Sequence, residues 1–175
     1  IIKQLRDPAH QRDAFAQVVN FYGEKLYWQI RKMVLDHDDA NDLLQNTFLK
    51  AWMNIDYFRG EAKLSTWLYK IAINECITFL NRQRMQNNVS IDDTDVFLLE
   101  CLKGDEYFDG DAAQMKLQKA ILTLPEKQRA VFNMKYFDDM KYEDMSEIFG
   151  TSVGALKASY HHAVKKVEEF LTKDI

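Results

Sequence analysis

Apolar residues recur at steps of three and four over long stretches of this chain, and only six glycines and two prolines interrupt its 175 residues. From Asp13 to Val34 the series Ala14, Val18, Phe21, Tyr22, Leu26, Ile30 and Met33 marks one helical face. A second series runs Ala40, Leu43, Leu44, Phe48, Ala51, Trp52 and Ile55, with Asp38 or Asp39 suited to cap it. A third spans Ser65 to Arg84, through Leu68, Ile71, Ala72, Ile73, Phe79 and Leu80. A β-rich chain needs many more turn residues, so the pattern predicts an all-α fold. No apolar run approaches the roughly 18 residues of a membrane span. The opening Ile1-Ile2-Lys3-Gln4 shows no basic-then-apolar leader. Cys76 and Cys101 sit in unrelated contexts, which predicts two reduced thiols and a cytoplasmic location.

The second half divides into shorter elements. Met115 to Leu124 reads as a small helix, and Pro125 suits the first position of a helix to about Phe137. Asp138-Asp139 breaks it; Tyr142 to Phe149 follows and ends at Gly150. Thr151 or Ser152 caps a last helix to about Leu171. A short helix, a turn containing glycine and a longer helix form a helix-turn-helix pattern.

Charge is unevenly spread. The chain carries a net charge of −4, which alone argues against nucleic acid. Residues 1–88 hold 12 basic and 10 acidic side chains, however, and residues 114–175 hold 10 and 9. The acidity lies in residues 89–113, with 8 acidic side chains and 1 basic. Residues 86–112 are rich in Asn, Asp, Ser and Gly around one apolar island, Val96 to Leu102, and read as a linker. Two helical domains are therefore expected, 1–88 and 114–175, joined by an acidic tether over 89–113.

Two constellations carry chemistry. In the helix-turn-helix, Met145, Ile148, Val153, Leu156 and Tyr160 fall where the helices pack, leaving Lys157, Ala158, His161, His162 and Lys165 outward. Small and basic residues on one helical face suit a DNA major groove, although the same face suits any solvated helix pair. In the first half, Phe58, Trp67 and Tyr69 interleave with Arg59, Lys63, Lys70, Asn74, Arg82 and Arg84 around a loop at 58–63. Aromatic faces stack bases and cations follow a backbone, so the stretch suits single-stranded nucleic acid. Equally, Phe58 and Trp67 are apolar enough to be core. His37-Asp38-Asp39 resembles the His-Asp pair of metal phosphohydrolases, but His10, His161 and His162 are too few and too scattered to complete such a site. No nucleophile elbow or phosphate-binding glycine loop is present. Neither catalysis nor a metal or cofactor is expected.

Three stretches in order, DHDDANDLLQNTFLKAW (36–52), FRGEAKLSTWLYKIAINECITFLNRQR (58–84) and LTLPEKQRAVFNMKYFDDMKYEDMSEIFGTSVGALKASYHHAVKKVEEFL (122–171), resemble a bacterial extracytoplasmic-function sigma factor of the sigma-70 family. The resemblance implies a first domain that binds RNA polymerase core and reads the −10 promoter element, and a second that reads the −35 element. By motif, Asp39, Asp42, Gln45, Phe48 and Trp52 face the clamp coiled coil of the largest catalytic subunit. The second domain faces the flap of the other large subunit. For the −10 element the resemblance implies Phe58, Arg59, Gly60, Lys63, Ser65, Thr66, Trp67, Lys70, Asn74, Arg82 and Arg84. The loop 58–66 receives a base pulled from the stack, and Asn74 reads a base edge. For the −35 element it implies Thr151, Ser152, Lys157, Ala158, His161, His162 and Lys165. An anti-sigma factor and promoter DNA are the further partners implied. Many relatives carry Arg where this chain has Ser159, His162 and Val164, which weakens its expected phosphate attraction. The competing expectation is a stand-alone helix-turn-helix regulator, which leaves the 38–52 helix and the aromatic loop without a role.

Overall fold

Long amphipathic stretches with few breakers fold here as helices and connecting turns. The computed structural model describes residues 1–86, 102 and 111–173. Its α-helices are α1 (Ile2–Arg6), α2 (Gln11–Val34), α3 (His37–Met53), α4 (Leu64–Gln86), α5 (Ala112–Leu122), α6 (Glu126–Tyr136), α7 (Tyr142–Phe149) and α8 (Val153–Thr172), with a 3-10 turn at Ile55–Tyr57. The linker expected over 89–113 lies outside the described residues, apart from Leu102 and residues 111–113. Leu102 is helical and fully buried, so the apolar island does anchor one side chain in the core. Cys101 lies outside the described residues.

Local chemistry sets the helix ends. α2 stops at Leu35, whose φ of 65° is left-handed, and the Leu35 N–H closes on the Arg31 carbonyl at 2.8 Å. A branched side chain pays a steric cost there. Burial of Leu35 against the core offsets it. Arg31 Nε then donates to the Leu35 carbonyl at 2.7 Å. α3 begins two residues later, at His37, capped by Asp36, which accepts from the Asp39 N–H at 2.9 Å. Asp38 and Asp39 are therefore first-turn residues that suit the dipole, not the cap. Likewise Pro125 is the N-cap of α6 and not its first helical residue.

α2, α3 and α4 pack around Leu26, Ile30, Leu43, Leu68, Ala72 and Leu80. In the second half, α7 and α8 close on Met145, Ile148 and Leu156, as the spacing predicts; Val153 and Tyr160 are only partly buried. A smaller cluster forms where α5, α6 and α8 meet around Ile121, Leu124, Phe132 and Val167.

The two halves also touch. α7 and α6 lie on α4, and α6 lies on α2, so Ala130, Met134 and Ile148 join the same core as Leu26 and Leu68. Arg129 is almost fully buried in this seam and donates to the Met33 carbonyl at 3.4 Å. Ionic contacts rim it: Arg84 with Glu126, Lys63 with Asp144 at 3.3 Å, and Lys32 with Asp138 at 4.0 Å. Gln29 also donates to Asp138. Beside the seam, Trp28, Lys32, Leu117, Tyr136 and Phe137 line an open cavity of about 710 Å³.

Candidate polymerase and nucleic-acid interfaces

α3 presents a ridge to solvent. Asp42 and Gln45 are exposed, Asp39 is half-buried, and Leu49 and Met53 follow at helical spacing with 57% and 69% exposure. Phe48 and Trp52 are divided between two environments. Both rings rest on Phe15 of α2, with centroids 6.3 and 5.1 Å away, while Trp52 keeps 37% of its surface exposed. Partial burial pushes the Asp39 carboxyl above its ordinary value, and the neighbouring carboxylates of Asp36, Asp42 and Asp38 add to the shift. The ridge thus concentrates negative charge that a basic partner would relieve. Sequence periodicity did not single out Leu49 and Met53, although apolar residues four apart on the polar face were the available signal.

The loop between the 3-10 turn and α4 is held from beneath. Phe58 is buried, and its ring lies 5.1 Å from Trp67 on the first turn of α4. Thr66 is buried and Ser65 half-buried, whereas Arg59, Gly60 and Lys63 are exposed. Gly60 has φ +77°, a backbone state that favours glycine. Along α4, Trp67, Lys70, Asn74 and Arg82 follow a helical stripe, the last three exposed. Two expected DNA contacts are otherwise engaged: Lys63 with Asp144 and Arg84 with Glu126, both across the seam.

In the second half the turn takes its shape from Gly150, at φ 65°, whose N–H bonds the Ser146 carbonyl at 2.9 Å. The Ser152 hydroxyl caps α8 by accepting from the Ala155 N–H at 3.2 Å. Thr151 is half-buried and donates to the Phe149 carbonyl at 3.3 Å. Lys157, Ala158, His161, His162 and Lys165 are all exposed on α8. The helix start and its outward face are therefore open together.

His37 is committed locally: Nδ1 meets the Tyr27 hydroxyl at 2.6 Å and Nε2 meets Asn41 at 3.1 Å. Among the described residues no group of three His, Cys, Asp or Glu side chains could hold a metal ion. Nor, among them, is any helix long and apolar enough to cross a membrane.

An acidic helix ridge, an aromatic loop on a basic helix and a helix-turn-helix, all in one all-α chain, define a DNA-binding transcription protein. Residues 18–85 match the family model for sigma-70 region 2, and residues 114–167 match that for sigma-70 region 4. The chain is 31% identical to the extracytoplasmic-function RNA polymerase sigma factor SigW of Bacillus subtilis, over 91% of this chain and 89% of that protein. It is 27% identical to RNA polymerase sigma-H factor of Pseudomonas aeruginosa, over 90% and 86%. Two solved structures share the fold. The sigma factor RpoE in complex with the anti-sigma factor NepR from Bartonella quintana has a TM-score of 0.69 at 23% identity, covering 93% of this chain and 99% of that one. CnrH in complex with the cytosolic domain of CnrY has a TM-score of 0.67 at 21% identity, covering 94% and 91%. This chain belongs to the extracytoplasmic-function group of sigma-70 family RNA polymerase sigma factors.

Proposed function

We propose that the α3 ridge docks on the clamp coiled coil of RNA polymerase core. Asp39, Asp42 and Gln45 are its polar contacts, and Phe48 and Trp52 its apolar ones. The observation that supports it is the run of exposed Leu49, Trp52 and Met53 beside carboxylates, on a helix whose opposite face is core. A basic helix partner would satisfy both chemistries, and Leu49 and Met53 extend the apolar part.

Residues 1–88 form the −10 unit in this proposal. Phe58, Arg59, Gly60, Lys63, Ser65, Thr66 and Trp67 build the base-accepting loop; Lys70 and Arg82 hold backbone phosphates, joined by Arg84 once it is released from Glu126; Asn74 reads a base edge. Residues 114–175 form the −35 unit and meet the polymerase flap. There Lys157, Ala158, His161, His162 and Lys165 face DNA, and the α8 start at Thr151 and Ser152 takes a phosphate. Residues 89–113 are the tether. The chain has no catalytic activity of its own and works in the cytoplasm, where its polymerase and promoters are. An anti-sigma factor is a further partner, as named for the RpoE structural relative.

The decisive experiment is co-elution of the purified chain with core polymerase from the same bacterium, followed by transcription of fragmented genomic DNA. Stoichiometric binding with a defined set of new start sites is expected. A chain that binds DNA but never core would instead be a stand-alone regulator.

A further inference from the structure

Residues 1–17 lie outside the region 2 match, yet α1 reaches the loop assigned above to the −10 element. Leu5 anchors α1 in the core. From the next position Arg6 Nη2 donates to the Arg59 carbonyl, and a Cβ built at Gly60 would lie 3.3 Å from the same nitrogen. Gln11 Nε2 ties the assembly together, donating to the Leu5 carbonyl at 2.8 Å and to Asp56 Oδ1 at 3.1 Å. Arg6, Ile55, Asp56, Phe58 and Arg59 line one open cavity of about 340 Å³, within the ~300–1,000 Å³ range of ligand pockets. Its lining is apolar at Ile55 and Phe58, cationic at Arg6 and Arg59, and anionic at Asp56, whose carboxylate accepts from Gln11. Two guanidiniums against one carboxylate leave a cationic excess, which suits one unstacked nucleotide with its base on the apolar side and its phosphate beside the guanidiniums.

We propose that Arg6 is a positioning residue for −10 recognition, holding loop 58–63 through the Arg59 carbonyl so that this cavity accepts a single unstacked nucleotide. The proposal rests on the assignment of residues 58–67 to the −10 element. A guanidinium offers several donors in a fixed fork, so one can stay on the carbonyl while another meets the nucleotide. Lysine has neither the reach nor the fork.

The test uses holoenzyme reconstituted with core polymerase. The probe is a single-stranded non-template oligonucleotide carrying the −10 sequence found by transcription, with each base in turn replaced by an abasic site. Native holoenzyme is expected to lose affinity most at the base taken by the cavity. Arg6→Ala is expected to bind the intact strand roughly tenfold more weakly, as for a lost charged hydrogen bond. The abasic change at that one position should then cost it nothing further, while the cost at other positions stays as in the native chain. Arg6→Lys, which keeps the charge and the stem, should show the same loss of position dependence in weaker form, and it decides the matter should Arg6→Ala fail to fold. Equal weakening at every position, or unchanged affinity, overturns the proposal. Asn74→Ala separates the two levels. If it alters the response at its own position while Arg6 variants do nothing, only the role of Arg6 falls. If neither variant nor any abasic position matters, the −10 assignment itself is wrong.

Discussion

Arg84 of α4 and Glu126 at the start of α6 form an ion pair across the seam between the two halves, with side chains only 16% and 13% exposed. A guanidinium held this way cannot also hold a phosphate. Replacing Glu126 by Gln keeps the volume and removes the charge, so it should release Arg84 to nucleic acid. The free chain carrying Glu126→Gln is expected to bind single-stranded DNA more tightly at low salt. One added phosphate contact steepens the fall of log K with log salt by about 0.7. Titration at several salt concentrations checks this; an unchanged slope would show that Arg84 never reaches the strand.

Asp42 is exposed on α3, so reversing its charge removes no internal contact. Asp42→Arg should abolish co-elution with core polymerase while shifting unfolding by no more than about 0.5 kcal/mol, as for an ordinary surface change. Persistent binding at native strength would exclude this helix as the docking ridge.

Asp39 gives that ridge a pH signature. Its carboxyl is raised above 3.8 by burial and by adjacent carboxylates. The folded state therefore holds this proton more tightly than the unfolded one. The penalty for ionising Asp39 is absent below pH 3.8 and fully present once pH rises above the folded value. Asp39→Asn should thus be slightly stabilising at pH 7, with the advantage fading on acidification. Denaturation curves across that window would contradict the assignment if the advantage grew instead.

Cys76 is fully buried, and burial pushes its thiol up to about 12. In a Cys101→Ser background, thiol reagents at pH 8 should label it only as the fold opens. Alkaline stability carries the same information. It is unaffected below about pH 9, the ordinary thiol value, and falls as pH rises toward 12, because only the unfolded chain gives up the proton. Fast labelling of the native chain would mean that the α2–α4 core is looser than its packing indicates.

Gly150 sits at φ 65° with open space around it, so substitution there acts through the backbone alone. Gly150→Ala should cost about 1 kcal/mol, the range for a left-handed non-glycine residue. It should weaken DNA binding through α8 more than it weakens polymerase binding through α3. Chemical denaturation and a −35 duplex titration measure the two effects separately.

Much of this was legible because helical periodicity is a local property. The spacing of Ala14 through Met33 and of Ala40 through Ile55 defines faces that the fold largely buries, except at Phe21 and Trp52, which stay 64% and 37% exposed, and Gly150 marks its turn by backbone chemistry alone. Caps were less legible. Asp36, Asp38 and Asp39 are all competent acceptors, and the choice of Asp36 follows from the left-handed Leu35 that aims the chain. The contact of Arg6 with Arg59 and the pairing of Arg84 with Glu126 join residues far apart in the chain, which no local pattern encodes. Motif resemblance carried Arg84 as a DNA contact, but could not show that a carboxylate of the other half already holds it.

The chain has three tryptophans, and they sit in three different places. Trp28 lines the cavity beside the seam, Trp52 rests on Phe15 at the α3 ridge, and Trp67 backs Phe58 under the loop. Each indole is thus a built-in optical reporter for one event: parting of the halves, capture by polymerase, or entry of a nucleotide. Chains that retain a single tryptophan would turn the order of those events into a sequence of fluorescence changes that a stopped-flow instrument can time.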